Sequence, residues 1–377
     1  MIALTFALLF LTFFLFGRGY WQHIALPKLQ NQRLKLQLVR VKRQGQYLKL
    51  WLQHPDGLLL PKAKAGQHIL LYGKDLQGKP VSRAYSLAQD CSQQRYYQLV
   101  IKAESDGRLS QALFQHLKVG DLVESSYPRG HFLLNRSRQP LVLVAGGVGI
   151  TPMLAMAYAA IRQKRQVFLV YQARHLEDIV FYPLLRRLPR LQLRIALTQP
   201  PADWQGFKGR IDAGYLYKLA GPQAQYYFCA SAKMVEQLIY DLGILGAQHC
   251  YAEFFSASAS EQSFPIEING VFADSQGHKS VLDAILAARV PLNYDCKGGS
   301  CGLCKVRVVK GEYQQVLEPS MSCGGDEVLA CCIQPTSALV LSADIQSEEL
   351  SPEQSAGLNT ITFPSASGSA SFSLVAT

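Results

Sequence analysis

Cys296-Lys-Gly-Gly-Ser-Cys301-Gly-Leu-Cys304, followed by Leu329-Ala-Cys331, has the C-x4-C-x2-C…C spacing that holds a [2Fe-2S] cluster. Three thiolates within nine residues reach one small cluster only if the loop wraps around it. Gly298, Gly299 and Gly302 are the residues expected to permit that wrapping. Amides in such a loop point at sulfur and tune the potential. A structural zinc site, which favours paired C-x2-C units, and unrelated buried thiols are the competing readings. Cys331 is the expected fourth ligand, with Cys332 and Cys323 as its competitors, because spacing to the last ligand is the loosest part of the pattern.

Three upstream motifs carry further chemistry. Arg83-Ala-Tyr85-Ser86 suits a flavin: Arg83 for a phosphate, Tyr85 to cover the ring and Ser86 to hydrogen-bond its edge. A strand also alternates such residues for purely structural reasons. Lys102 and then Gly107-Arg-Leu-Ser110 lead into a helix whose amides and Ser110 hydroxyl could hold a pyrophosphate; an ordinary Ser110 cap is the alternative. Ala145-Gly146-Gly147-Val148-Gly149-Ile150-Thr151-Pro152 follows the apolar run LVLVA. This predicts a strand-to-helix junction with Thr151 as N-cap and Pro152 as first helical residue. Glycines there let backbone approach a dinucleotide's phosphates, whereas a ligand-free tight turn would use them equally well. The run departs from G-x-G-x-x-G.

The elements positioning these motifs divide the chain. Short strand-like runs with Gly/Pro turns over 32–138 predict an antiparallel β-barrel with one helix near 110–117. Over 139–255 the rhythm becomes strand then helix, with helices at 152–163, 179–188 and 232–242, the mark of a parallel α/β sheet. SASASEQS at 256–263 is a polar linker. A small mixed domain follows at 264–348, with a helix at 280–288, and the Ser-, Ala- and Gly-rich tail at 349–377 is expected to be disordered.

With 377 residues and 49% hydrophobic composition, the chain can bury two or three cores. Its formal charge of +11 is uneven: residues 264–349 carry 6 Lys and Arg against 11 Asp and Glu. No nucleic-acid recognition module or Lys/Arg-rich tract appears, so anionic cofactors and an anionic membrane are better partners for the basic body than nucleic acid. The clustered cysteines argue for metal ligation in a reducing compartment rather than disulfides. Ile2 to Gly17 is uncharged, with Arg18, Tyr20 and Trp21 behind it. This predicts a membrane helix over residues 1–21, single-pass in an inner or cytoplasmic membrane, with the remaining chain facing the cytoplasm. A surface-lying or cleaved segment is the alternative.

The order of Arg83-Ala-Tyr85-Ser86, Gly107 to Ser110, Gly130-His-Phe132, Gly146 to Pro152, Gly209-Arg210-Ile211, Cys229-Ala-Ser-Ala-Lys-Met234 and Glu253-Phe-Phe255 resembles the ferredoxin-NADP reductase superfamily. The appended cluster makes it similar to the phthalate dioxygenase reductase and phenylacetate-hydroxylase reductase branch. The resemblance covers about residues 32–348. It implies a flavin barrel, a nucleotide-binding α/β domain and a β-grasp ferredoxin domain.

The same resemblance implies flavin binding by Arg83, Tyr85 and Ser86 and pyrophosphate binding by Gly107 to Ser110, with FAD favoured over FMN. NADH or NADPH would meet Gly146, Gly147, Gly149, Thr151 and Pro152; apart from the resemblance, Arg174 in Tyr-Gln-Ala-Arg-His could contact the adenosine ribose or a 2′-phosphate, with a solvated loop charge as the alternative. Cys229 and Met234 would stand beside the reacting nicotinamide, although Ala230-Ser231 replaces the family's Gly-Pro. Glu253 and Phe255 would close on the flavin. Ser86, Cys229 and Glu253 are the expected catalytic residues. The implied activity is electron transfer from NAD(P)H through flavin to the cluster and on to an iron oxygenase; the anchor favours a membrane hydroxylase or fatty-acyl desaturase. A respiratory or detoxifying reductase serving quinone or a soluble redox protein is the rival enzyme, and a redox sensor the non-catalytic one.

Overall fold

Alternation along the first strand turns Leu36 and Leu38 inward and leaves Arg33 and Lys35 exposed, and a bulge between Leu38 and Arg40 then reverses the phase so that Arg40 and Lys42 also face solvent. The computed structural model describes residues 33–105, 107–255, 259–317, 319 and 323–343. Strands β1 (Arg33–Gln44), β2 (Tyr47–Gln53), β3 (His68–Lys74), β4 (Pro80–Ser86), β5 (Tyr97–Lys102) and β6 (Leu122–Ser126) form an antiparallel sheet in the order β4-β3-β6-β1-β2-β5. Its inner leucines pack around Leu109 of helix α1 (Arg108–His116).

The next sheet contains β7 (Leu141–Gly146), β8 (Val167–Ala173), β9 (Leu191–Leu197), β10 (Phe207–Lys208), β11 (Gln225–Cys229) and β12 (His249–Glu253), ordered β10-β9-β8-β7-β11-β12. All its pairs are parallel. Such sheets are covered on both faces, so their strands are apolar throughout. Leu141, Leu143 and Leu169 pack with helix α2 (Ile150–Arg162) on one face. Val142, Val144, Val170 and Phe228 pack on the other with the later helices α4 (Ala213–Ala220) and α5 (Ala232–Ile244). Strand order reverses between β7 and β11, so their carboxyl ends open the crevice where this architecture binds ligands.

The helix expected over 179–188 shrinks to α3 (Tyr182–Leu185), preceded by a 3-10 turn at Leu176–Asp178. Ile179, Val180 and Phe181 dive into the core there, and Phe181 takes φ +66°. Pro183 is confined to the first turn of this short helix, and Pro189 restricts regular helix beyond it. Helix α2 starts earlier than expected because Gly147–Gly149 forms a 3-10 turn that runs into it. Gly149 is its N-cap; Thr151 is inside the first turn, where its hydroxyl donates to the Val148 carbonyl at 2.8 Å. Pro152 is tolerated because first-turn amides lack intrahelical acceptors.

The last module is a mixed sheet of β13 (Pro265–Ile268), β14 (Val271–Asp274), β15 (Lys305–Lys310), β17 (Glu327–Leu329) and β19 (Leu339–Ser342), in the order β14-β13-β19-β15-β17. Strands β16 (Tyr313–Gln315) and β18 (Ile333–Pro335) pair separately. Asn269 and Gly270 turn β13 into β14 at φ +48° and +82°, the backbone of a tight hairpin. Helix α6 (Val281–Ala287) is capped by the Ser280 hydroxyl, which accepts from the Asp283 amide, and buries Val281, Leu282, Ala284 and Ile285.

The three modules belong to one compact unit ending at Ala343. The expected anchor at 1–21 and tail at 349–377 lie outside the described residues, as does part of the linker. Among the described residues no helix is long and apolar enough to cross a membrane.

Candidate functional site

The cysteine loop wraps as its spacing requires, with one change of detail. Gly299 and Gly302 occupy left-handed backbone at φ +70° and +78°, but the third such residue is Lys297, at φ +51°, rather than Gly298. The thiols meet in pairs. Cys296 hydrogen-bonds Cys301, which lowers the pKa of Cys301 and raises that of Cys296. Cys304 is hydrogen-bonded to Cys331, the main cause of its raised pKa. Two pairs of donors match two irons. The amides of Ser300 and Cys301 each point at Cys296 Sγ at 3.3 Å, and that of Gly299 at Cys331 Sγ at 3.3 Å. Four thiols with backbone donors aimed at their sulfurs fit a [2Fe-2S] cluster. Cys332 Sγ lies 3.7 Å from Cys331, outside the two pairs, and Cys323 is in a loop before β17.

The flavin motif lies at the end of β4, where His68 and Ser86 are register partners. Tyr85 is pushed up in pKa by burial and remains a neutral phenol. Ser86 is buried and lines a cavity of about 310 Å³. Arg83 and Ser86 supply its barrel wall, Glu253 and Phe255 its nucleotide-domain wall, and Cys296 and Gly298 its cluster-loop wall. Polar groups on opposite walls with aromatic side chains between them fit a flavin ring. The expected pyrophosphate helix is present as α1, but its N-cap is Gly107. Ser110 is in its first turn, with its hydroxyl 3.4 Å from the Gly107 carbonyl.

The nucleotide motifs meet at the sheet's switch point. Gly147 takes φ +54°, and a Cβ on Gly149 would stand 1.8 Å from the Cys229 carbonyl oxygen. Backbone therefore touches backbone where β7 and β11 end. A Cβ on Gly146 would meet that of Ala230 at 2.8 Å, so Gly146 provides the room that Ala230 takes up. Cys229 is fully buried and pairs in register with Glu253; burial first, then that carboxylate, keeps its thiol protonated. Met234 Sδ accepts from Gln172 Nε2 at 3.5 Å. Arg174 is exposed, and its carbonyl accepts from the Gln199 amide at 2.9 Å.

Residues that no motif singled out join barrel to cluster loop. Asp295, next to Cys296, accepts from the Ser82 amide at 2.7 Å and from the Ser82 hydroxyl. Arg83 Nη1 donates to the Asp295 carbonyl at 2.8 Å and to the Ser82 carbonyl at 2.7 Å, leaving its Nε and Nη2 for a phosphate. His68 Nε2 lies 3.2 Å from Ser300 Oγ, and Arg129 donates to the Ser300 carbonyl at 3.2 Å. Burial, with Arg129 nearby, lowers His68 to about 4.

Family models match each module: an oxidoreductase FAD-binding domain over 36–133, an oxidoreductase NAD-binding domain over 143–238 and a 2Fe-2S iron-sulfur cluster binding domain over 266–336. The chain is 28% identical over 314 residues to a component of the 1,2-phenylacetyl-CoA epoxidase of Escherichia coli, covering 75% of this chain and 87% of that one. It is 27% identical over 299 residues to phthalate dioxygenase reductase of Burkholderia cepacia, covering 76% and 89%. A flavohemoprotein of Pseudomonas putida is 33% identical over 225 residues, which is 54% of each chain, so this chain spans about half of that relative. The solved phthalate dioxygenase reductase superposes with a TM-score of 0.59 at 24% identity, covering 83% of this chain and 98% of that one.

Proposed function

The chain is a ferredoxin-NADP reductase-like flavoprotein reductase with a C-terminal plant-type [2Fe-2S] domain, and on that premise we propose that it supplies single electrons to a membrane oxygenase. It is an NAD(P)H-dependent oxidoreductase that uses FAD and the cluster. The observation that carries the electron relay is the cavity where barrel, nucleotide domain and cluster loop each contribute a wall. A flavin held between Arg83, Ser86 and Phe255 would supply the conversion of a nicotinamide's two-electron chemistry to the one-electron steps an iron-sulfur centre requires.

The residues supply placement. Ser86 would present its hydroxyl to the ring edge, and Arg83 would meet the phosphate while its Nη1 holds the cluster loop. Cys229 keeps an uncharged wall at the nicotinamide, and Glu253 stands beside it at the mouth of β12. Phe255, 48% exposed, covers the open side. Gly146, Gly147 and Gly149 admit the dinucleotide backbone, with Thr151 and Pro152 fixing the helix behind them.

Two relatives point to the acceptor class, since they are named for an epoxidase and a dioxygenase. The uncharged run Ile2–Gly17 supports a membrane-bound one, with a hydroxylase or fatty-acyl desaturase favoured and the soluble modules on the cytoplasmic side. Deleting residues 2–21 tests this. NAD(P)H-driven reduction of a soluble dye should persist while electron delivery to an oxygenase in vesicles collapses; unchanged delivery would sink the membrane reading.

A further inference from the structure

Away from the cavity walls, the loop after β2 presents two adjacent leucines to solvent, Leu58 at 61% and Leu59 at 68% exposure. The loop is held from beneath. Leu60 is 1% exposed; its amide donates to the Gln94 carbonyl at 2.8 Å and its carbonyl accepts from Gln94 Nε2 at 2.7 Å. The leucines therefore project from a fixed base, and exposing both to water has no role in packing this fold.

Cations surround them. Lys62 and Lys64 follow in the same loop and Arg95 follows Gln94, all exposed. Asp90, in the segment before β5, forms an ion pair with Arg162, which brings the end of α2 and exposed Lys164 to the same region. Asp56 and the paired Asp90 leave the face positive. Register adds direction. Gln37 pairs with Gln53 and Leu52 with Tyr97, so β1 begins at the barrel end from which this loop emerges. The segment leading into Arg33 contains the uncharged Ile2–Gly17 run.

The geometry points to an anionic phospholipid surface as the partner of this face: Leu58 and Leu59 enter the acyl boundary while Lys62, Lys64 and Arg95 meet headgroup charge. A protein partner would also accept apolar and basic groups, but β1 begins at this barrel end and the sequence before it carries the uncharged Ile2–Gly17 run, which favours lipid. The inference deepens the membrane reading of residues 2–21, and its test separates the two.

The full chain carrying Leu59→Trp is mixed with phosphatidylcholine vesicles with brominated acyl chains, with and without phosphatidylglycerol, and both flotation and fluorescence are read. The expected result is flotation with quenching beyond that of the parent chain when phosphatidylglycerol is present. Adding Lys62→Gln and Lys64→Gln should weaken the affinity for anionic vesicles, read from the lipid dependence of that quenching, by about fivefold per lysine neutralised, and salt should weaken it too. Flotation without extra quenching would overturn this inference and leave the anchor standing. No flotation on any vesicle would overturn both. Extra quenching by aqueous acrylamide alone, unchanged by vesicles, would show the face turned to water or protein and would also overturn it.

Discussion

Asp295→Ala should uncouple the cluster from the flavin without disturbing nucleotide oxidation. Asp295 accepts two hydrogen bonds from Ser82, which is 0% exposed, so truncation strands a buried amide and a buried hydroxyl. Each stranded donor costs about 1–3 kcal/mol. Allowing for partial relaxation, docking weakens by about 2–4 kcal/mol, and the docked-to-undocked ratio falls about thirty- to a thousandfold. The Asp295 carbonyl remains for Arg83, so the barrel keeps part of its grip. The linker still tethers the module, so cluster reduction slows with the docked fraction rather than vanishing. Two-wavelength stopped flow reads the two steps separately, and limited proteolysis at 256–263 reads undocking independently of turnover. Ser82→Ala should lose part of the same energy, and the double variant should fall short of the sum. Unchanged cluster reduction together with unchanged linker cleavage would refute the reasoning.

His68 is held down to about 4 by burial, from 6.5, so it stays neutral when folded while the unfolded chain takes up a proton between those values. Its contribution is complete above about pH 6.5 and is lost as pH falls toward 4. Urea unfolding at pH 5 should therefore show about 2 kcal/mol less stability than at pH 7 from this group, and His68→Gln should flatten that slope. Gly149→Ala places a methyl 1.8 Å from the Cys229 carbonyl oxygen. Nucleotide titration should show affinity weakened about tenfold or more, with flavin content retained. Cys331→Ala should abolish the cluster, read as iron and sulfide content and by electron paramagnetic resonance, whereas Cys332→Ala and Cys323→Ala should keep it.

Chemistry written in contiguous residues was legible before the fold was seen. The cysteine spacing closes on itself within one loop, and the glycines after LVLVA do sit where a strand enters a helix. Local signals misled where tertiary packing intervened. Thr151 and Pro152 looked like a helix start, but the 3-10 turn at Gly147–Gly149 moves that start upstream. The apolar run at 179–181 looked helical because periodicity does not distinguish a buried helix face from a chain diving into a core. Lys297 supplies a left-handed position expected of Gly298, since composition shows which residues permit φ > 0 and not which will use it. The junction itself was invisible: Asp295 and Ser82 are 213 residues apart, and His68 and Ser300 are 232 apart. No spacing rule joins such residues; only the docking of two finished modules does.

Electrons run from nicotinamide through flavin to the cluster, across the cavity where the modules meet. The most direct test of this path is anaerobic stopped-flow reduction of the reconstituted protein by NADH and by NADPH, with flavin and cluster absorbance followed separately. Flavin should bleach first and the cluster after it, in the same molecule and without an added carrier. Flavin reduction that leaves the cluster oxidised would contradict it.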